Sequence, residues 1–172
     1  MHFFLRQGDE ANRIRAGGSE TVAGGEHVYT DPNTGEQWID FLYGWLGSRG
    51  PSWFGLVRYP PPGAEILLAL CRDSEDLDQV AAASLSLNDP VDTRWRLLDL
   101  VESLIEQSPD SPRLKVLLDN GVYEFPSGHY SSVGMKIEEI NRQYELSIRC
   151  ADRSIAIRKR LPPHSRPYDK SA

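Results

Sequence analysis

A run of three prolines and a glycine divides this sequence into two parts with different apolar patterns. Residues 60–63 read Pro-Pro-Pro-Gly, which continues neither a helix nor a central strand, because proline lacks the backbone N–H and fixes φ. Before this break, aromatic residues are interspersed with glycines over residues 31–59. After it, apolar residues recur at helical spacing over residues 64–122. The sequence therefore predicts small β elements before the break and helices at the centre of the chain.

Length and composition are those of one folded domain. At 172 residues, with 40% hydrophobic and 26% charged residues, the chain can bury an ordinary core without disulfides or metals. We predict a single globular domain over residues 1–161 and a loose, proline-rich tail over residues 162–172. Residues 8–27 carry two glycine pairs and few apolar anchors, so they are predicted to form a loop or linker.

Capping residues divide the central part into successive helices. Asp73 is a candidate N-cap for a helix that includes residues 77–87, and Asp89-Pro90 opens the next helix. The apolar stripe of this next helix contains Trp95, Leu98, Val101 and Leu104, and we expect Trp95 in the core. Two capped antiparallel helices form a hairpin of the HEAT-like type, although the sequence has no repeat of fixed period.

Residues 112–125 are compatible with either a helix or a β-hairpin. Ser111-Pro112 can start a short helix that Asn120-Gly121 ends. The same Asn-Gly pair is also a frequent turn between two antiparallel strands. The sequence favours the helix and leaves the hairpin open.

The C-terminal part, residues 123–161, has the same ambiguity. Ile137, Ile140 and Tyr144 fit a helix. From residue 144 to residue 157 apolar and polar side chains alternate, which is typical of a β-hairpin with a turn near Asp152-Arg153. The predicted fold class is mainly α, with HEAT-like helical hairpins at the centre, small β elements in the aromatic block and either structure over residues 136–161.

Acidic residues are concentrated in the middle of the chain. Residues 64–124 contain 13 acidic and 5 basic side chains, whereas residues 125–172 contain 5 acidic and 9 basic ones. An acidic region repels phosphate and attracts basic surfaces, so we expect a basic protein partner and no nucleic acid. The candidate partner-binding carboxylates lie at the starts of two predicted helices: Asp73, Glu75, Asp76, Asp78, Asp89 and Asp92. Solvated helix ends are the alternative explanation of this group.

No motif in the sequence indicates catalysis or a resident metal. The four histidines are dispersed, and none has the spacing of a zinc ligand. The segment from Asp31 to Glu36 lacks the glycine and glutamate positions of a calcium loop and indicates a turn instead. We therefore expect a protein that is not an enzyme and needs no cofactor.

The expected location is the cytoplasm. Cys71 and Cys150 are far apart in the sequence, and two lone cysteines in a chain of this size indicate free thiols in a reducing compartment. The longest apolar run, residues 66–71, is much shorter than the ~20 residues that cross a bilayer. We expect no membrane association.

The order of several features resembles a family of bacterial immunity proteins from polymorphic toxin systems. The matching residues are Asp31-Pro32-x-Thr34-Gly35-Glu36-x-Trp38, a glycine-rich segment, Arg58-x-Pro60-x-Pro62, the helix with Ser74-Glu75-Asp76-x-Asp78-x-Val80-Ala81-Ala82-Ala83, and the helix with Trp95. They span roughly residues 30–105. The glycine-rich segment departs from the family pattern, because it carries Trp45 and Trp53 in place of a smaller polar run.

The resemblance implies a protein that neutralises a cognate toxin domain by tight, stoichiometric binding and catalyses nothing itself. Acidic helix ends would contact basic residues of the toxin, with one or two aromatic side chains as anchors. Two other classes of function remain as alternatives. These are a helical adaptor in another complex and an enzyme with a dispersed active site.

Overall fold

The computed structural model describes residues 3–6, 8–21, 27–43, 53–88, 91–122 and 135–161 of the chain. These residues form a five-stranded antiparallel sheet and six helices, so the protein is mainly helical with small β elements, as the sequence predicts. The chain divides into two compact units, residues 1–66 and residues 67–172, and each is described by itself. The expectation of a single domain over residues 1–161 stays a prediction.

The first unit is a sheet with one helix packed on it. In chain order its elements are β1 (Phe4–Arg6), α1 (Asp9–Ala16), β2 (Ser19–Thr21), β3 (His27–Thr30), β4 (Gln37–Tyr43) and β5 (Trp53–Tyr59). The strand order in the sheet is β1-β5-β4-β3-β2, and every neighbouring pair is antiparallel. Strands β4 and β5 are small β elements of the kind predicted for the aromatic block.

The prediction of a loop over residues 8–27 is wrong for most of its length, because the segment contains α1 and β2. Ala11 and Ile14 of α1 are fully buried against Trp38 and Leu56 of the sheet. A two-turn helix needs only this small apolar face once a sheet is present to cover it. The sequence pattern around the glycine pairs did not reveal that covering surface.

The turn predicted at residues 31–36 is confirmed and joins β3 to β4. The Gly35 N–H donates to the Asp31 carbonyl at 2.8 Å, and the Asp31 N–H donates to the Glu36 carbonyl at 2.8 Å. Gly35 has a φ of 72°, a left-handed conformation that glycine adopts without steric cost. The glycine-rich segment that follows β4 lies outside the described residues.

The remaining helices follow the proline-rich break. They are α2 (Ala64–Asp73), α3 (Leu77–Ser86), α4 (Val91–Gln107), α5 (Pro112–Gly121) and α6 (Ile137–Arg160). Helix α3 packs mainly against α5, and α4 packs against both α6 and α5. The core of the second unit contains Leu67, Cys71, Val80, Leu97, Leu98, Val101, Leu114, Leu117, Cys150 and Ile157. No helix in the described part of the chain combines the length and hydropathy of a membrane span.

The helix boundary predicted at Asp73 is three residues too early. Asp73 lies in the last turn of α2, and the N-cap of α3 is Asp76, whose carboxylate accepts from the Asp78 N–H at 2.9 Å. The HEAT-like pairing of α3 with α4 is not confirmed, because the main packing of α3 is against α5. The predicted cap Asp89-Pro90 lies outside the described residues.

The helical alternative for residues 112–121 is confirmed, and the rival β-hairpin is wrong there. Helix α5 has Ser111 as its N-cap, and the Ser111 hydroxyl accepts from the Leu114 N–H at 3.2 Å. The helix ends at Gly121, and Val122 after it is fully buried. The local capping chemistry therefore decided this segment.

Of the two structures left open for residues 136–161, the helix is present and the β-hairpin is wrong, because α6 runs unbroken through residues 144–157. Its buried positions are spaced three or four residues apart, or adjacent, as in a helix: Ser147, Cys150, Ala151, Ser154 and Ile157. Ser154 on this face needs no partner from another element to be buried. Its hydroxyl donates to the carbonyl of Cys150 at 2.8 Å. The alternation of bulky apolar residues wrongly indicated strands, because the buried face of the helix also carries small side chains such as Ser147, Ala151 and Ser154.

Candidate functional site

An open groove of about 320 Å³ lies between the first turns of α4 and the middle of α6. Its lining residues are Val91, Asp92 and Trp95 from α4, and Leu146, Arg149 and Cys150 from α6. The groove therefore has an apolar floor with one carboxylate and one guanidinium among its walls. Its volume suits a single large side chain or a small ligand, since small-molecule sites begin at about 300 Å³.

Trp95 is the central side chain of the groove. Its indole is partly buried and contacts two guanidinium groups, with Arg153 4.7 Å and Arg149 5.4 Å from the ring centroid. Cation–π contacts of this kind are attractive and fix the ring plane. The groove thus presents an accessible aromatic surface that is already oriented before any partner binds.

Arg153 is held in place by the acidic face of α4. Its Nη2 donates to the Asp99 carboxylate at 2.6 Å and also to the Glu102 carboxylate, while Nη1 donates to the Trp95 carbonyl at 3.4 Å. The positive charge of Arg153 is therefore balanced within the protein. Arg149 is exposed, so it can turn towards a ligand at little cost.

The expectation that Trp95 belongs to the core is wrong. The fully buried face of α4 contains Arg94, Leu97, Leu98 and Val101, and Trp95 lies beside it. Arginine is among the residues least often fully buried, so the sequence pattern gave no reason to place Arg94 inside. Because Arg94 is turned into the core, the adjacent Trp95 is not, and it lines the groove instead.

Cys150 is a buried packing residue of the groove. Burial raises the pKa of its thiol, so the thiol stays protonated near neutral pH and the reactive thiolate is scarce. Its sulfur lies 3.9 Å from the Val91 carbonyl, to which it donates weakly. Cys71 is also a free, buried thiol, and burial raises its pKa to about 12.

The predicted acidic residues form two groups in the structure. Asp73, Glu75, Asp76 and Asp78 lie around the junction of α2 and α3, whereas Asp92 lies in the first turn of α4 and lines the groove. Asp89, the sixth residue of the prediction, lies outside the described residues.

The two groups are separated by the length of α3. The Thr93 hydroxyl donates to the Leu87 carbonyl at 2.8 Å, so the first turn of α4 adjoins the C-terminal end of α3. Asp76 caps the opposite end of that helix, which for 10 residues is about 15 Å away. The structure therefore does not join the described carboxylates into one continuous edge.

Two of the clustered carboxylates already have structural roles. Asp76 caps α3, and Asp73 forms an exposed ion pair with its neighbour Arg72 at 2.9 Å. Hydrogen bonds from Arg72 lower the pKa of Asp73. Glu75, between Asp73 and Asp76 in the chain, is exposed.

Sequence reasoning missed the α6 side of the groove. Leu146, Arg149, Cys150 and Arg153 follow the three- and four-residue spacing of one helix face. That signal was present in the sequence, but the β-hairpin alternative placed Arg149 on the strand face opposite Leu146 and Cys150, and Arg153 in the turn.

Polar contacts in the first unit connect α1 to the sheet and neighbouring strands to one another. Arg15 Nε donates to the Asp40 carboxylate at 2.8 Å, and the Tyr29 hydroxyl donates to the same carboxylate at 2.6 Å. This hydrogen bond to Asp40 raises the pKa of Tyr29. Arg58 pairs with Glu36 and lies 5.0 Å above the Trp38 ring. These contacts stabilise the sheet and leave its residues in fixed positions.

Comparison of the chain with protein-family models, with curated proteins and with solved structures finds no match. Among the described residues, no group of three or more His, Cys, Asp or Glu side chains is placed to hold a metal ion.

Proposed function

We propose that the protein is an immunity protein, which neutralises a cognate bacterial toxin by tight, stoichiometric binding. The observation that carries the proposal is the groove lined by the partly exposed Trp95, whose ring contacts Arg149 and Arg153. Tryptophan and arginine are the residue types most enriched where binding energy concentrates in protein interfaces. The resemblance over roughly residues 30–105 supplies the class of partner.

The charge of the second unit supports a basic toxin surface. Residues 64–124 carry 13 acidic and 5 basic side chains, and Asp92 places one carboxylate directly in the groove. Asp73, Glu75, Asp76 and Asp78, together with Asp89, are proposed as a further contact region. Complementary charge of this kind accelerates association more than it strengthens the final complex.

The chemistry of the groove favours binding over catalysis. Its six lining residues include no histidine, and its one thiol has a raised pKa. An acid–base or nucleophilic mechanism needs a nucleophile with a base in hydrogen-bond reach. A preformed apolar pocket with charged walls instead fits an anchoring side chain of a partner.

Co-expression with the product of the upstream gene tests the proposal, because an immunity gene is expected to follow its toxin gene. We expect a 1:1 complex that copurifies and abolishes toxicity. Trp95→Ala and Arg149→Ala should each weaken binding by at least about tenfold, the scale of an interface hot spot. Arg160→Ala is the matched control for Arg149→Ala, because it removes an exposed arginine from the end of the same helix. Toxicity that persists at a molar excess of this protein would overturn the proposal.

The role of the acidic group at the α2–α3 junction has a separate test. Glu75→Lys with Asp78→Lys changes the charge while sparing the N-cap Asp76. We expect slower association with the toxin and a weaker dependence of the association rate on salt. An unchanged association rate at low salt would assign these carboxylates to solvated helix ends.

A further inference from the structure

Arg153 of α6 binds three groups on one face of α4. Trp95, Asp99 and Glu102 are four and three residues apart in α4, so they lie on the same face of that helix. Arg153 Nη1 donates to the Trp95 carbonyl at 3.4 Å, Nη2 donates to the Asp99 carboxylate at 2.6 Å, and Nε donates to the Glu102 carboxylate at 3.2 Å. The guanidinium carbon also lies 4.7 Å from the centroid of the Trp95 ring. The group that contacts the ring is therefore fixed to the helix that carries the ring.

The two arginines that contact the Trp95 ring differ in how firmly they are held. The Arg153 side chain is 18% exposed and donates to acceptors at three positions of α4. Arg149 is exposed and lies farther from the ring centroid, at 5.4 Å. A planar guanidinium whose donors have acceptors keeps one orientation, whereas an exposed arginine retains most of its rotamer freedom. Only Arg153 is therefore placed to fix the ring.

We propose that Arg153 is a positioning residue of the groove: it fixes the orientation of the Trp95 indole and acts on a partner through that ring. A tryptophan side chain turns about two bonds, and a partner that binds it must supply the cost of ordering it. A ring that Arg153 already holds carries this cost before the partner arrives. Contact with the partner is then made by Trp95 and by the exposed Arg149.

The effect of Arg153 on binding rests on the proposed function, whereas its effect on the ring is a property of the protein alone. The mobility of the ring is therefore measured without toxin, and toxin affinity is measured separately. If Arg153 controls the ring and no toxin binds, only the proposed function is overturned. If the ring keeps its order without Arg153, this inference is overturned whether or not a toxin binds.

NMR relaxation of the tryptophan indole N–H groups in the full-length protein tests the inference. The chain has four tryptophans, so labelling tryptophan with ¹⁵N gives few indole signals, and Trp95→Phe identifies the one that belongs to Trp95. Arg153→Met keeps a long apolar stem and removes the guanidinium. Arg160→Met is the matched control, because Arg160 is two turns further along α6 and pairs with the same carboxylate, Glu102, at 3.3 Å.

A second variant releases the guanidinium without changing either side chain of the cation–π contact. Asp99→Ala combined with Glu102→Ala removes both carboxylates that hold Arg153. It also covers the case in which Arg153→Met does not fold. Circular dichroism verifies that each variant keeps its helices.

We expect the order parameter of the Trp95 indole N–H to fall from about 0.85, the value of rigid structure, to below about 0.6 in Arg153→Met. The double alanine variant should lower it as well, and Arg160→Met should leave it unchanged. With the proposed toxin, Arg153→Met should weaken binding about twofold to tenfold, the cost of ordering one side chain.

Two results would overturn the inference. The first is an order parameter that stays unchanged in Arg153→Met or in the double alanine variant, even if the melting temperature falls, because Arg153 would then have a structural role only. The second is an equal loss of order in Arg160→Met, because the ion pairs between α4 and α6 would then hold the ring without the contact from Arg153.

Discussion

Asp31 stabilises the turn between β3 and β4 through a charged contact with α1. Arg13 Nη1 donates to Asp31 Oδ1 at 2.8 Å and Nη2 donates to Oδ2 at 3.3 Å, while the Asn33 N–H donates to Oδ1 at 2.9 Å. The hydrogen bonds from Arg13 hold the pKa of Asp31 below its ordinary value of 3.8. The folded protein therefore favours the ionised carboxylate more than the unfolded chain does.

This pKa difference predicts how Asp31→Asn affects stability at different pH values. Because the pKa is lower in the folded state, the contact contributes stability above the unfolded pKa, and the contribution is lost as the pH falls through the folded pKa. Asparagine keeps an acceptor for the Asn33 N–H but loses the charge. We expect Asp31→Asn to lower the melting temperature near pH 7, and the difference to shrink below about pH 4. Thermal unfolding by circular dichroism over this pH range measures it, and a difference that stayed constant in acid would contradict it.

Gly55 is the residue at which the sheet leaves no room for a side chain. A Cβ at this position would clash with the Phe4 ring and would lie 2.5 Å from the Leu5 carbonyl oxygen. The carbonyl belongs to the paired strand β1 and cannot move without disturbing the ladder. Close packing between β1 and β5 therefore depends on glycine here.

We expect Gly55→Ala to destabilise the protein by about 1–3 kcal/mol, as overpacked substitutions do. Gly63→Ala is the matched control, because a Cβ there meets nothing within 4 Å. Urea denaturation gives both free energies of unfolding. Equal stability of the two variants would mean that β1 does not approach β5 this closely in solution.

At the scale of elements, the start of α3 shows how capping geometry selects one aspartate among several. Asp73 and Asp76 both precede the apolar spacing of the helix, but only Asp76 has an extended backbone and accepts from the N–H of Asp78. Asp73 continues α2, where its carboxylate pairs with Arg72. The Asp76 carboxylate therefore satisfies the N–H of Asp78, one of the N–H groups in the first turn of α3 that have no partner within the helix.

Asp76→Ala should lower the free energy of unfolding by about 1 kcal/mol, the typical contribution of an N-cap. Asp73→Ala removes the same functional group three residues earlier and should leave stability unchanged within error, because its ion pair is exposed. Chemical denaturation of the two variants compares them directly. If Asp73→Ala proved the more damaging substitution, the helix would start where the sequence pattern placed it.

At the scale of the whole molecule, the described elements make their extensive contacts within units. The sheet and α1 pack together in the first unit, and α3, α4, α5 and α6 pack together in the second. The Pro-rich segment at residues 60–63 falls between β5 and α2, close to the boundary at residue 66. Each unit thus has a core formed by its own residues.

We expect a fragment comprising residues 64–172 to fold alone, because it contains the packed helices and is longer than the ~60 residues at which isolated domains become marginal. Its circular dichroism should be helical, and its urea unfolding should be cooperative. Full-length protein under the same conditions is the reference. A fragment that lacked a cooperative transition would instead support the single domain predicted from the sequence.

Features decided by local chemistry were predictable from the sequence. The break at residues 60–63, the turn at residues 31–36, strand β5 and helix α5 follow from proline, from glycine conformation and from capping side chains within a few residues. The same holds for Asp92 as an exposed carboxylate at the start of a helix. Each of these features depends on neighbours that are close in the chain.

Features that depend on packing against distant parts of the chain could not be predicted from local sequence. Helix α1 forms because a sheet covers Ala11 and Ile14. Helix α6 buries serines because packing, and not side-chain size, determines which of its faces turns to the core. Arg94 is buried and Trp95 lines the groove, the reverse of what the apolar pattern predicts. The residues of α6 that line the groove share a face only because the segment is a helix. A periodic pattern specifies which residues share a face, but only the tertiary contacts determine which face is covered, because burial depends on the partner surface as well as on the side chain.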